Sequence, residues 1–163
     1  VFGIENKADY FPKTMWYVNG SKYDNASLEP DTIMLYGTDI YVLDAKYYKY
    51  GVTGKTWDLP ESTSINKQIT YGEYIAKEDK FKKKHGGNMK VYNAFLMPFD
   101  SIKSKYPNNT NMLKLGEAVS NWKDNTEEYQ KIQGVLLDVK TLMSINVRQE
   151  MKEIEKLAKL IEN

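Results

Sequence analysis

The chain of 163 residues contains no cysteine and one histidine. The first absence excludes a disulfide scaffold, a thiolate metal site and a cysteine nucleophile. The second removes most zinc and histidine-based hydrolase constellations. Long apolar runs are also missing: nothing approaches the roughly 20 residues that cross a bilayer, and the start Val1-Phe2-Gly3-Ile4-Glu5-Asn6 is not a secretion signal. The expectation is a soluble, intracellular protein with no membrane partner. Net charge is nearly absent, with 23 Lys+Arg against 22 Asp+Glu for a formal +1. No global positive field therefore draws this chain to nucleic acid, and any such affinity must come from local patches or another domain.

What is present suffices for one core. With 41% hydrophobic and 28% charged residues, residues 1–163 are expected to form a single globular domain. A beginning at valine, inside what looks like a motif, reads as a piece of a longer protein. Residues 14–18 read as a strand, followed by a polar turn at 19–26. Ser/Thr at 62–64 are N-cap candidates for a helix over 62–76, with Ile65, Ile69, Gly72 and Ala76 as its core stripe. Lysines 77, 80 and 82–84, leading to His85, read as a solvated loop or a phosphate-tracking patch. A strand over 89–99 closes at Pro98 and Asp100, and a polar loop over 101–111 turns at 107–109. An amphipathic segment follows at 113–123, then a strand around 134–139. Val147, Met151, Ile154, Leu157 and Ile161 mark a final helix capped by Asn146. Strands, helix, strand, strand, helix implies an α/β fold, a mixed central sheet flanked by helices.

The chemistry concentrates between residues 29 and 46. Residues 32–36 and 40–43 are β-branched or aromatic almost throughout, and Gly37-Thr38-Asp39 joins them as an antiparallel hairpin. Asp31 then starts the first strand and Asp44 ends the second, at the same end of the sheet. Alternation along a strand puts Asp44 and Lys46 on one face and Ala45 on the other. Two carboxylates from separate strands suit an octahedral divalent ion such as Mg2+, which keeps waters and takes substrate phosphate oxygens. An adjacent ammonium stabilises phosphate charge or orients an attacking water. That is phosphodiester hydrolysis chemistry.

Pro30-Asp31 and Asp44-Ala45-Lys46, with twelve residues between the aspartates, resemble the PD-(D/E)xK nuclease superfamily. The run from Tyr41 to Tyr50, then Leu59 to Tyr74, is similar to the LlaJI-type restriction endonucleases, with a looser likeness to McrBC-like nuclease subunits. The resemblance covers about residues 1–145 and is carried by 29–76. It implies a restriction-endonuclease-like core and a type II-like, Mg2+-dependent DNA endonuclease, with Mn2+ able to substitute. Asp31, Asp44 and the Ala45 carbonyl would hold the metal, and Lys46 would position the water. From the following helix, Gln68 leads as a further catalytic residue, with Lys67 behind it and Tyr71 on the same edge. The implied partner is double-stranded DNA, in the bacterial or archaeal cytoplasm, with a homodimer or partner subunit cutting the second strand. Sequence recognition would lie elsewhere: Gly51-Val52-Thr53-Gly54-Lys55-Thr56 lacks phosphate-loop spacing. Glu5 is the nearby acid that could stand in for one carried by an upstream helix.

Blander readings stand beside these. Asp138-Val139-Lys140 repeats the triplet with no Pro-Asp at hairpin distance, and reads as a structural strand with solvated ends. Tyr47, Tyr48, Lys49, Tyr50, Lys55 and Trp57 either stack on bases or pack a long loop on the sheet. Gln68 can simply bond a strand end, and His85 reads as an exposed loop residue. The alternative function is a catalytically inactive nuclease-fold module for DNA binding or assembly.

Overall fold

A computed structural model describes residues 2–103, 105–106, 110–145 and 147–163, with the side chains of 147 and 148 excepted. The expected turn at 107–109 and the Asn146 cap lie outside the described residues. Strands β1 (Met15–Val18) and β2 (Ser21–Asp24) form a separate hairpin. Its two-residue loop, Asn19 (φ 50°) and Gly20 (φ 78°), takes the left-handed geometry that matches strand twist. The polar turn expected at 19–26 is therefore only the loop itself, and most of the rest is a strand.

The main sheet has five strands in the order β3 (Thr32–Tyr36), β4 (Asp39–Ala45), β5 (Val91–Phe99), β7 (Ile132–Asp138), β6 (Met112–Ala118). β4, β5 and β7 run parallel, and the outer β3 and β6 are antiparallel to their neighbours. The fold is thus the mixed α/β sheet that the element order implies. β6 replaces the undefined amphipathic segment; Gly116, at a bulge, interrupts its alternation. β3 and β4 pair as the residue types dictate, Thr32 opposite Leu43 and Tyr36 opposite Asp39, so Asp39 belongs to the strand and the loop is Gly37-Thr38.

Between β4 and β5 lie α1 (Tyr50–Thr53), a single turn of 3-10 helix at Thr56–Asp58, α2 (Ser62–Lys77) and α3 (Asp79–His85). The long loop after the hairpin is consequently broken by helical turns, and the basic run is a helix rather than a loop. Its apolar anchor is Phe81, 2% exposed and stacked on Tyr10 at 4.6 Å. His85 is half-buried and hydrogen-bonds the Tyr10 hydroxyl at 2.9 Å, so it is not a free loop side chain. Burial holds its imidazole below the ordinary range, with help from Lys84. α4 (Val139–Met143) and α5 (Val147–Glu162) complete the chain.

Helices cover both faces, which is why β4 reads as a continuous apolar run rather than an alternating one. On one face Ile33, Ile40 and Val42 pack with Tyr71 and Ile75 of α2. On the other, Tyr41, Leu43, Ala94 and Val135 pack with Leu157, Ala158 and Ile161 of α5. Met151, expected in the α5 stripe, is 66% exposed. α2 begins without a side-chain cap: Glu61 occupies the cap position, and Ser62 to Ser64 lie inside the helix.

Two polar residues and a glycine fasten α2 to the sheet. Gln68 Nε2 donates to the Val42 carbonyl (2.8 Å) and to Asn93 Oδ1 (3.3 Å), and Asn93 Nδ2 donates to the Tyr129 carbonyl (2.6 Å). Gly72 allows the approach, since a Cβ there would meet Asn93 Nδ2 at 2.5 Å and Tyr129 Cβ at 2.7 Å. At an open helix site, Gly→Ala gains about 1 kcal/mol of helix propensity. At Gly72 the sign reverses. Gly72→Ala should lose about 1–3 kcal/mol in urea unfolding through overpacking, and a variant as stable as the parent would contradict this contact.

Candidate active site

Asp31 stands one residue before β3, beside the end of β4, and its Oδ2 accepts from the Ala45 amide at 2.9 Å. Asp44 ends the buried part of β4 at 8% exposure. Its carboxylate lies within hydrogen-bonding reach of Asp31 and makes a short ion pair with Lys46 Nζ. Asp44 and Lys46 do share a face, as strand alternation requires. Lys46 extends the pairing with β5 by donating its amide to the Leu96 carbonyl at 2.8 Å. Its ammonium lies 5.6 Å from the Phe95 ring centroid. Since N–H and C=O of one strand residue point to the same side, the Ala45 carbonyl faces the Asp31 side, past the first residue of β3.

Supporting contacts fix the acids. The Tyr71 hydroxyl of α2 donates to the Glu29 carbonyl at 3.2 Å, and Lys7 Nζ donates to the carbonyls of Pro30 (3.1 Å) and Asp31. Ile4 N donates to the Ile33 carbonyl at 2.9 Å and lays the N-terminal segment along β3. Lys7, rather than the exposed Glu5, reaches the Pro30-Asp31 backbone. Lys67 also faces the acids. The Tyr71 hydroxyl raises the proton affinity of its ammonium, and the fields of Asp44 and Asp31 add to that. Gln68 sits deeper, 1% exposed between α2 and the sheet, with Oε1 unpartnered.

The structure thus brings Asp31, Asp44, Ala45, Lys46 and Lys67 together, with Gln68 beneath them as a clamp. Lys7 and Phe95 were not legible as neighbours of the acids. Phe95 is opposite Asp44 only through a parallel register set across the α2 crossover. Among the described residues no group of three or more Asp, Glu, His or Cys could hold a metal ion. Asp31, Asp44 and the Ala45 carbonyl could offer a metal ion two carboxylates and a carbonyl, the kind of set that a hard ion keeping its waters takes.

The second Asp-x-Lys differs in structure, not only in context. Asp138 is 3% exposed and caps α4, accepting from Thr141 N at 3.2 Å and from Ser101. Lys140 lies on that helix and pairs with Asp100 at 3.0 Å. Asp138 ends β7, as the strand reading expects, but is buried, and Val139 and Lys140 open α4, where Lys140 meets solvent.

The chain carries a restriction-endonuclease-like α/β core with an acid pair at the end of a parallel strand. The family model of the LlaJI restriction endonuclease matches residues 3–115, and the chain belongs to that family. The match includes Asp31, Asp44, Lys46 and α2 and stops before Asp138. Membership makes the protein nuclease-type. No curated protein and no solved structure matches the chain. Among the described residues no helix is long and apolar enough to cross a membrane.

Burial raises the Asp44 proton affinity above the ordinary carboxylate range; Lys46 opposes this and the Asp31 charge adds to it. A carboxylate that binds its proton more tightly folded than unfolded costs stability when ionised. That cost is absent below the ordinary carboxylate range and grows as pH rises toward the raised value. In divalent-free buffer Asp44→Asn should match the parent in acid and exceed it in denaturant stability at neutral pH. Equal or lower stability of the variant at neutral pH would show that Lys46 outweighs burial and Asp31.

Proposed function

We propose that the protein is a Mg2+-dependent endonuclease of the PD-(D/E)xK type acting on double-stranded DNA. The observation that carries this reading is the buried Asp44 carboxylate, with the exposed Asp31 carboxylate repelling it on one side and Lys46 pairing with it on the other. Two converging carboxylates, with the proton affinity of Asp44 raised, make a site that a divalent cation would stabilise. Asp31, Asp44 and the Ala45 carbonyl would hold the ion, which supplies Lewis-acid stabilisation of charge on the phosphate. Lys46 orients the attacking water, held in place by its pair with Asp44 and the Phe95 face. Lys67 adds a second positive charge for a phosphate oxygen. Gln68 sets the depth and angle of α2 against β4.

A net charge of +1 leaves DNA affinity to local surfaces. All three tryptophans are exposed, and two carry a lysine over the ring: Lys55 at 5.3 Å from Trp57 and Lys123 at 4.2 Å from Trp122. The Lys55–Trp57 pair combines a stacking surface with a phosphate-neutralising charge, whereas Lys123 is already paired with Glu73 at 2.9 Å. In this reading the chain cleaves one strand per site, so a homodimer or partner subunit completes a double-strand cut. Sequence recognition, as in a type II-like system, comes from another domain or subunit.

Plasmid nicking in Mg2+ or Mn2+ tests the proposal. Asp44→Ala and Lys46→Ala should each lower the rate by at least about 100-fold, as removal of an electrostatic or proton-handling group does, with circular dichroism unchanged. Lys67→Ala should lower it by about tenfold, the smaller loss of a screened phosphate contact. A parent protein inert with both metals, on plasmid and single strands and with its partners, would favour the non-catalytic nuclease-fold module.

A further inference from the structure

The strand register lines up one cross-sheet row on the α2 face. Asp44 is opposite Phe95, Phe95 is opposite Gly134, and Gly134 is opposite Gly116. The row thus begins with a metal-binding candidate, passes an aromatic ring and ends in two positions without side chains. Where the side chains are missing, the surface sinks into a cavity of about 340 Å³. Phe95, Gly134 and Gly116 lie along its floor, and Tyr50, Leu59 and Ile65 form its wall. Its lining is mainly apolar and partly aromatic, which suits a flat unsaturated ring and disfavours a phosphate or sugar.

We propose that this cavity is a nucleobase subsite, holding the base of a nucleotide whose phosphate lies at the Asp31–Asp44–Lys46 cluster. The inference rests on the reading of that cluster as a phosphodiester-cleaving centre. Adjacent strands are about 4.8 Å apart, so Gly134 lies about 10 Å from Asp44 across the sheet, a span that one nucleotide bridges. Phe95 joins the two halves: its ring lines the cavity and faces the Lys46 ammonium at 5.6 Å. Occupancy requires a base out of its stack, either extruded from a duplex or in a single-stranded stretch. The cavity would then favour substrates that are mismatched, damaged or frayed beside the cut, because their bases leave the stack at lower cost.

Gly134 provides the test because it can be filled without strain. A Cβ there would meet Met97 Cε at 3.5 Å and the Gly116 carbonyl at 3.6 Å, ordinary contact distances. NMR titration of the full chain with thymidine 5′-monophosphate should shift the Gly134 amide and the Phe95 ring, and inorganic phosphate should not. Gly134→Val should weaken nucleotide binding by about tenfold, the scale of one lost base contact, and leave phosphate binding unchanged. Gly134→Ala, the smaller change, should give a smaller loss and guards against misfolding of the valine variant. If nucleotide and phosphate shift the same resonances, or both Gly134 variants bind nucleotide as the parent does, the subsite is wrong. Hydrolysis of methyl p-nitrophenyl phosphate, a diester with no base, separates the two readings. If the parent cannot hydrolyse this ester but binds the nucleotide in the cavity, the cleavage reading fails and the subsite stands. Hydrolysis with the cavity resonances unmoved by nucleotide would sink the subsite alone.

Discussion

The contact on which the rest of the site depends is the docking of α2 onto β4 and β5. Gln68 inserts an amide beneath the sheet's α2 face, bonding the Val42 carbonyl and Asn93, and Gly72 gives up its side chain to let the helix approach. A buried polar pair of this kind is costly if either partner is lost, since each leaves the other unsatisfied. That cost fixes the helix in one register. With Gln68 seated, Tyr71 falls over Glu29 and Lys67 toward the acids. One helix face therefore supplies the fastening, the anchor for the Pro30-Asp31 entry and a cation for the site.

The charges at the end of β4 make sense only together. Asp44 is buried, which disfavours its ionised form, and Asp31 adds a second negative charge beside it. Lys46 offsets part of this, and the Ala45 amide satisfies one oxygen of Asp31. What remains at the ends of β3 and β4 is one carboxylate more than Lys46 balances, and the second cation that faces it, Lys67, comes from α2. The fold tolerates that excess because the surrounding apolar packing on both sheet faces supplies stability that does not depend on it.

Much of this could be read from residue types. The hairpin, its convergent acids, the shared face of Asp44 and Lys46, the extent of α2 and the mixed sheet all follow from local patterns, and local patterns survive folding. The misreadings share a cause. The lysines after residue 77 looked like loop because their charge hides a single anchor, Phe81, whose partner Tyr10 lies far upstream in the sequence. β6 looked undefined because Gly116 and a bulge break its alternation. Gln68 was legible as a residue near the site, yet its seat under the sheet depends on Asn93, from a strand beyond two helices. Contacts between elements distant in sequence carry no local signature.

The two Asp-x-Lys triplets show how little separates a carboxylate held ionised from one whose proton affinity is raised. Both aspartates end parallel strands, and beside each an antiparallel strand begins, β3 next to Asp44 and β6 next to Asp138. At β3 the facing residue is Asp31; at β6 it is Asn111, whose carbonyl accepts the Asp138 amide at 2.9 Å. Burial acts on both carboxylates in the same direction. At Asp138 the donors Ser101 and Thr141 outweigh it and hold the acid below its ordinary range. At Asp44 the neighbouring acid reinforces burial and the affinity rises. The same topological position thus yields a helix cap where donors converge on the carboxylate, and a carboxyl of raised proton affinity where a second carboxylate does.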